Sequence, residues 1–299
     1  MNPRQIMLFG EFGPLCPGTE VFSGEYIIPD MGSKKYPTIL TIAGSDSIGG
    51  AGIQADIKTA SSIGVYAMSA ITAVTAQNTL GVVGLQAVSD ELLKAQLEAV
   101  AEDVRPDAVK IGMIPSVSAV KIIAEFLRKY SLSNVVLDPV CISTSGNALC
   151  EAGVPAALAD YLFKEVTLVT PNLPESGYYL QRDIVTDDIE NIASQFVDKT
   201  GCKAVLIKGG HNQQSDKAID ILLIDGKFHR FETHKIESKN THGTGCCLSS
   251  AIAANLALGF DMPAAVKRAK DWLTDAIQLG KDYTFGKGHG PLNFFITTE

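Results

Sequence analysis

Residues 108–139 read AVKIGMIPSVSAVKIIAEFLRKYSLSNVVLDP. Two short, mostly apolar runs, Ala108–Ile111 and Val135–Asp138, bracket a longer stretch of different period. In that stretch Val117, Val120, Ile123, Ala124 and Leu127 recur at helical spacing and share one face. The reading is strand, amphipathic helix, strand. Strands that are apolar throughout and separated by helices belong to a parallel sheet covered on both faces, since neither face of such a strand can be left to water.

Outward from this unit the pattern repeats. Thr38–Ala43 and Ser69–Ala76 precede it as candidate strands; Val166–Thr170 and Ala204–Lys208 follow it. Leu92, Leu93, Gln96, Leu97, Val100 and Val104 mark another helix. Ile219–Ile224, Asp225-Gly226 and Lys227–Glu232 form an antiparallel hairpin at the sheet edge, with Asp-Gly as the turn. Helices are expected over Cys246–Leu258 and Pro263–Leu279. The uncharged stretch from Thr59 to Ser89 is cut by Gly64, Gln77, Asn78, Gly81 and Gly84 into pieces too short and polar to span a bilayer, and reads as a helix end, a buried strand and a loop. Residues 37–299 show neither repeat nor linker, so one α/β domain is expected there. Residues 1–36, with four prolines and five glycines but no apolar period, are expected to lie outside it.

Of 299 residues, 46% are hydrophobic and 19% charged, enough for a substantial core. A formal net charge of −8 with no run of Lys or Arg excludes nucleic acid and acidic membrane as main partners. The six cysteines include no C-x-x-C pair, which argues against zinc and for reduced thiols in a cytoplasm. The start, with only Ile6–Phe9 apolar before Glu11, does not read as a secretory leader.

In a parallel sheet, ligands gather beyond the carboxyl ends of the strands. Here three such ends carry Asp138-Pro139, Thr170-Pro171-Asn172-Leu173-Pro174-Glu175 and Lys208-Gly209-Gly210. One polar strand end is turn chemistry; three bearing Asp, Asn/Glu and Lys favour a site. The segment Asn240-Thr241-His242-Gly243-Thr244-Gly245-Cys246-Cys247 opens a helix. Its glycines let backbone N–H groups approach an anion, and the helix N-terminus adds partial positive charge. Alone it serves equally as a helix-starting turn. Beside Lys208 and two candidate magnesium carboxylates, a phosphate cradle is the better account. The P-loop pattern is absent. Gly50-Ala51-Gly52-Ile53-Gln54-Ala55 matches a dinucleotide fingerprint but begins well past Ala43, and no acidic residue follows at the required distance.

Taken together, these residues resemble the hydroxymethylpyrimidine/phosphomethylpyrimidine kinases. Ala43-Gly44-Ser45-Asp46 with Gly49–Asp56 looks like their first motif. Ala76-Gln77-Asn78-Thr79, Lys110-Ile111-Gly112-Met113, Asp138-Pro139-Val140, Thr170–Glu175, Lys208-Gly209-Gly210-His211, Asn240–Cys246 and Gly286–Pro291 follow in the same order, over about 38–295. The resemblance implies a three-layer α/β/α ribokinase-like fold with a mostly parallel sheet, a homodimer, and two successive transfers from ATP with Mg²⁺. It also implies roles. Gly44, Ala51, Asp56, Gln77 and Met113 resemble the pyrimidine pocket, and Asp138 and Glu175 the magnesium-water ligands. Asn172, Lys208 and Thr244 resemble phosphate contacts, and Gly243, Gly245 and Cys246 the anion hole with its catalytic residue. Ile48 stands where the family often has Ser, and Cys141–Gly146 lacks a lysine of many relatives. His211, His229, His234 and His289 are expected on the surface or in loops. His242 reads as a loop-shaping hydrogen bonder, Cys247 as a core residue, and Cys16, Cys141, Cys150 and Cys202 as structural. Two other readings stand beside this one: a pyridoxal kinase, against which Gln77 argues, and a non-catalytic nucleotide sensor, which has no need of Asp138, Glu175 and Cys246 together.

Overall fold

A computed structural model describes residues 35–141, 149–184, 188–210 and 216–296. In chain order the elements are β1 (Thr38–Asp46), α1 (Gly52–Ser62), β2 (Tyr66–Asn78), β3 (Gly81–Ala87), α2 (Asp90–Asp103), β4 (Ala108–Ile111), α3 (Val117–Lys129), β5 (Val135–Leu137) and α4 (Val154–Ala157). After one π-helical turn at Leu158–Leu162 come β6 (Leu168–Val169), α5 (Leu173–Leu180), α6 (Ile189–Thr200), β7 (Ala204–Lys208), β8 (Lys217–Ile224), β9 (Lys227–His234), α7 (Thr244–Ala257) and α8 (Met262–Gly280). Cys16, Ser143–Gly146 and His211 lie outside the described residues, as does the expected extension apart from Lys35 and Tyr36.

The strands form one sheet in the order β3-β2-β1-β4-β5-β6-β7-β8-β9. From β2 to β7 every pairing is parallel; β3 at one edge and β8–β9 at the other run antiparallel. Alternation along each strand sorts side chains to two faces. Leu40, Ile42, Val109, Ile111, Val135 and Leu137 pack with Leu93, Leu97, Val120, Ile123 and Phe196 of α2, α3 and α6. Ile39, Ala108, Val136, Leu168 and Leu206 pack on the opposite side with Ala55 of α1, Ile252 of α7 and Val266 and Trp272 of α8. The result is the expected three layers. Helix α7 is buried nearly all round, from Cys247 to Leu256, which explains its apolar sequence and places Cys247 in the core.

The stretch 59–89 departs from expectation. After α1 and β2, Gly81–Ala87 is not a loop but an antiparallel edge strand, β3. Its residues are largely exposed and carry no buried face, so the alternation that betrays a strand is missing. Its pairing decides where Gln77 points. Ala76 opposes Gly84 but Gln77 opposes Val82, so Val83 is an extra residue, a bulge that bends the ladder at the carboxyl end of β2.

Candidate active site

The carboxyl ends of β1, β2, β4, β5, β6 and β7 and the start of α7 meet along one edge of the sheet. Two groups of side chains form there, joined by the segment before α7.

The first group surrounds Asp138, directly after β5. Its Oδ1 accepts from Lys208 Nζ at 2.7 Å and from Thr170 Oγ1 at 3.2 Å. Its Oδ2 is buried and meets no hydrogen-bond donor among the described residues. A buried carboxylate oxygen without a donor costs free energy, so such an atom marks a place for a cation or water. Burial opposes the charge on Lys208, but Asp138 and then Glu175 outweigh it and hold the ammonium above its ordinary pKa. Glu175 is the complement: burial, aided by the nearby Asp138 charge, raises its carboxyl to about 7 although Lys208 pulls the other way. Asn172 and Glu175 also close a capping box at the start of α5, with Glu175 N–H on Asn172 Oδ1 at 2.8 Å and Asn172 N–H on Glu175 Oε2 at 2.7 Å. That box explains why both residues hold fixed positions at the mouth of the site. Asn172 further bridges to Lys208 across neighbouring strand ends.

The second group surrounds Asp46, at the end of β1. Its carboxylate accepts backbone N–H groups of Ile48, Gly50 and Ala51 at 3.0, 3.1 and 2.9 Å, winding the glycine-rich turn about itself. Burial works against this charge, but the hydrogen bond from His242 and those from the turn prevail and lower its pKa. His242 Nε2 lies 3.0 Å from Asp46 Oδ2 and 3.2 Å from the side-chain amide of Gln77. Gly44 faces Met113: a Cβ there would come within 2.5 Å of the Met113 methyl.

The segment Gly243–Cys246 ties the groups together. Gly243 holds φ +84° and packs so tightly on the Gly50–Ala51 backbone that a side chain would collide with the Gly50 carbonyl. Two residues on, a Cβ at Gly245 would sit 3.4 Å from both Asp138 Oδ2 and Lys208 Nζ. No side chain among the described residues caps α7; the Thr244 N–H turns back to the Thr241 carbonyl at 3.3 Å, and those of Gly245 and Cys246 remain to face this gap. Cys246 stands between, with its sulfur facing the Gly52 N–H.

Known proteins resemble this chain in sequence and in fold. A family model described as phosphomethylpyrimidine kinase matches residues 46–293. The chain belongs to that family. A hydroxymethylpyrimidine/phosphomethylpyrimidine kinase of Bacillus subtilis is 45% identical over 260 residues, covering 86% of this chain and 94% of that protein. A probable thiamine biosynthetic bifunctional enzyme of rice is 42% identical over 261 residues, and there the match covers 86% of this chain but 47% of the relative, so the chain spans about half its length. Among solved structures, a Bacillus subtilis pyridoxal kinase with ADP is 32% identical with a TM-score of 0.78, covering 87% of this chain and 98% of that one.

Within this family member, the residues expected at the site fall into place unevenly. Asp138, Lys208, Asn172, Glu175 and Gly245 come together, and so do Gly44, Met113, Gln77 and Ala51. Asp56 is the exception. Its carboxylate is fully buried under the site and accepts from Lys110 Nζ at 2.8 and 2.9 Å, Thr41 Oγ1 at 2.5 Å and Ser250 Oγ at 2.6 Å, so it is occupied from within. The sequence reading passed over three residues here. Asp46 lay inside a quoted motif, but its role as turn organiser needs the Gly50–Ala51 backbone folded back on it. Lys110 also lies inside a quoted motif, with no role given to it; a lysine within a buried strand is the signal. His242 was read as shaping its loop, which understates it, because its ring reaches both Asp46 and Gln77. A helix N-terminus ordinarily lowers a thiol's pKa, but at Cys246 the balance is the reverse. Burial raises it, and the opposing pull of Lys110 does not win.

Proposed function

We propose that this chain transfers the γ-phosphoryl group of ATP to the hydroxymethyl oxygen of hydroxymethylpyrimidine, and then a second one to the resulting phosphate. One observation carries this reading. The Gly243–Cys246 segment touches the Gln77–Met113 side through Gly50 and the Asp138–Lys208 side through Gly245, so a ring held at one end reaches phosphates held at the other. In the first transfer the hydroxyl oxygen bonds to the γ-phosphorus, the bond to the β–γ bridging oxygen breaks, and ADP leaves. Lys208 and the open N–H groups of α7 face the charge that develops on the transferring group. The hydroxyl proton goes to Cys246 as thiolate. In the second transfer the acceptor is an ionised phosphate and needs no base.

Asp138 and Glu175 fit a magnesium ion held largely through water, since Asp138 Oδ2 is a buried acceptor with no donor among the described residues and the two carboxyls repel each other. Such an ion supplies charge neutralisation at the phosphate oxygens. Release of ADP measured with hydroxymethylpyrimidine, its phosphate and pyridoxal side by side tests the assignment. Activity on the first two and little on the third is expected; pyridoxal as the best substrate overturns it. The 32% identical pyridoxal kinase is the observation that keeps this third arm necessary.

The site calls for ATP and a small molecule, not nucleic acid. No described helix is long and apolar enough to cross a membrane, and five cysteines among the described residues are free thiols, which suits the cytoplasm. A homodimer would cover Leu80 and Val83, 65% and 79% exposed at the β2–β3 edge; sedimentation tests this. Residues 1–36 are assigned no part in catalysis, so deleting them is expected to leave folding and turnover unchanged.

A further inference from the structure

The hydrogen-bond partners of Gln77 decide which end of its amide faces which side of the site. His242 Nε2 lies 3.0 Å from Asp46 Oδ2, which already accepts from the Gly50 and Ala51 N–H groups. A carboxylate only accepts, so Nε2 must carry hydrogen. That one hydrogen points at Asp46. The Gln77 end beside it, placed as nitrogen at 3.2 Å, would then set a donor against a donor. The other end of the amide, placed as oxygen, lies 3.3 Å from Thr75 Oγ1. Thr75 Oγ1 also donates its single proton to the Ser45 carbonyl at 2.9 Å, which leaves only lone pairs for Gln77. Both ends are mispaired in one orientation; in the reverse, Thr75 Oγ1 accepts from the amide nitrogen, and the amide oxygen is a second acceptor beside Asp46 for the one Nε2 hydrogen, so no donor faces a donor. Amide oxygen and nitrogen differ little in shape, so the hydrogen-bond network is what assigns them.

We infer that His242, oriented by Asp46, is a positioning and specificity residue that turns the Gln77 carboxamide oxygen toward itself and the nitrogen toward Thr75. This rests on the reading of the site as a pyrimidine pocket and deepens it. An amide so fixed offers an acceptor on the His242 side and a donor on the Thr75 side. A ring whose exocyclic amine neighbours a ring nitrogen pairs with both at once only when its amine lies toward His242. The Nε2–H of His242 thus selects ring orientation, and with it the position of the hydroxymethyl carbon relative to Cys246 and Lys208.

Calorimetric binding of hydroxymethylpyrimidine, with steady-state kinetics, tests this in a double-mutant cycle. His242→Phe keeps a ring but removes the N–H, and is expected to weaken pyrimidine binding about tenfold and to lower kcat, since part of the bound ring then lies the wrong way round, while KM for ATP stays within about twofold. His242→Gln, whose amide nitrogen can stand near the Nε2 position, is expected to restore most of the binding. On a Gln77→Leu background, His242→Phe is expected to add nothing. Unchanged binding in His242→Phe, or losses that multiply with Gln77→Leu, overturn the inference. So does a loss shared by ATP and not rescued by Gln, which describes a loop that has merely lost its shape. Should the Phe variant not fold, Thr75→Val runs the same cycle from the other end of the amide, with the same expected and overturning results. A chain that binds the pyrimidine but releases no ADP defeats the proposed function alone; one that binds none defeats both.

Discussion

Of the three buried lysine–aspartate pairs among the described residues, Asp56–Lys110 and Asp138–Lys208 have opposite characters. Asp56 and Lys110 are both 0% exposed, and every contact of the carboxylate is with protein, from Lys110, Thr41 and Ser250. Asp138 is as deeply buried, but Lys208 keeps 13% of its side chain exposed, one oxygen of Asp138 meets no donor among the described residues, and the like-charged Glu175 stands close by. The first pair is complete; the second lacks something. A closed ion pair in a dry interior resists disruption because removing either partner strands a charge. An open pair facing a gap can exchange its protein contacts for those of a ligand, which is what transfer of a charged group demands. Burial alone does not tell structural from functional charge; the balance of donors and acceptors does.

The sharpest way to break this contrast is at Lys110. Lys110→Met leaves Asp56 buried and unpaired and is expected to cost about 3–5 kcal/mol of stability, most of it regained in the double variant Asp56→Leu/Lys110→Met. Denaturant titration reads it, and a loss under about 1 kcal/mol would show that the pair is not closed. Lys208→Met tests the other side. It should lower turnover by roughly 10²–10³-fold with the fold intact, the cost of removing one preorganised donor. An active Lys208→Met enzyme would falsify the open pair's role.

Between the pairs stands Cys246, whose thiol burial pushes up and Lys110 pulls down. With the pKa raised, thiolate is scarce at neutrality, so the rate of the first transfer should climb as pH rises beyond 7 while the second stays nearly flat. Cys246→Ser is expected to slow the first by about 10²-fold and spare much of the second. Equal losses in the two steps, assayed separately, would leave Cys246 a packing residue.

Glu175 sharpens the contrast at the smallest scale. Its folded pKa, raised by burial to about 7 from the ordinary 4.5, means that the folded chain binds the proton more tightly than the unfolded one. Its contribution to stability is therefore present below the unfolded value, declines as pH rises through this window, and levels off above about 7. Glu175→Gln should flatten that decline, seen as a change of about a few degrees in the unfolding midpoint between acid and neutral pH. Magnesium should raise the midpoint of the parent at pH 8 more than that of the variant. Parallel curves in both measurements would return Glu175 to its capping box.

Much of this molecule was legible from local pattern. The 3.6-residue period over 117–127, the apolar runs at 108–111 and 135–138 and the Asp225-Gly226 turn depend on near neighbours, so they survive reading one residue at a time. The polar strand ends were legible too, because a parallel sheet collects them on one edge whatever its order. Three things were settled only by the folded chain. Strand β3 has no buried face to create a pattern, and only pairing with β2 makes it a strand. Asp56 carries the same side chain as Asp138, and nothing within either motif says that Lys110, Thr41 and Ser250 will enclose one while Glu175 and Gly245 leave the other open. His242 and Gln77 are 165 residues apart, and Asp46 and His242 are 196 apart. Hydrogen-bond partners at such separations are chosen by the packing of the Gly50–Ala51 turn against Gly243, a contact that depends on the missing Cβ of one glycine and on the three-dimensional path that brings it there.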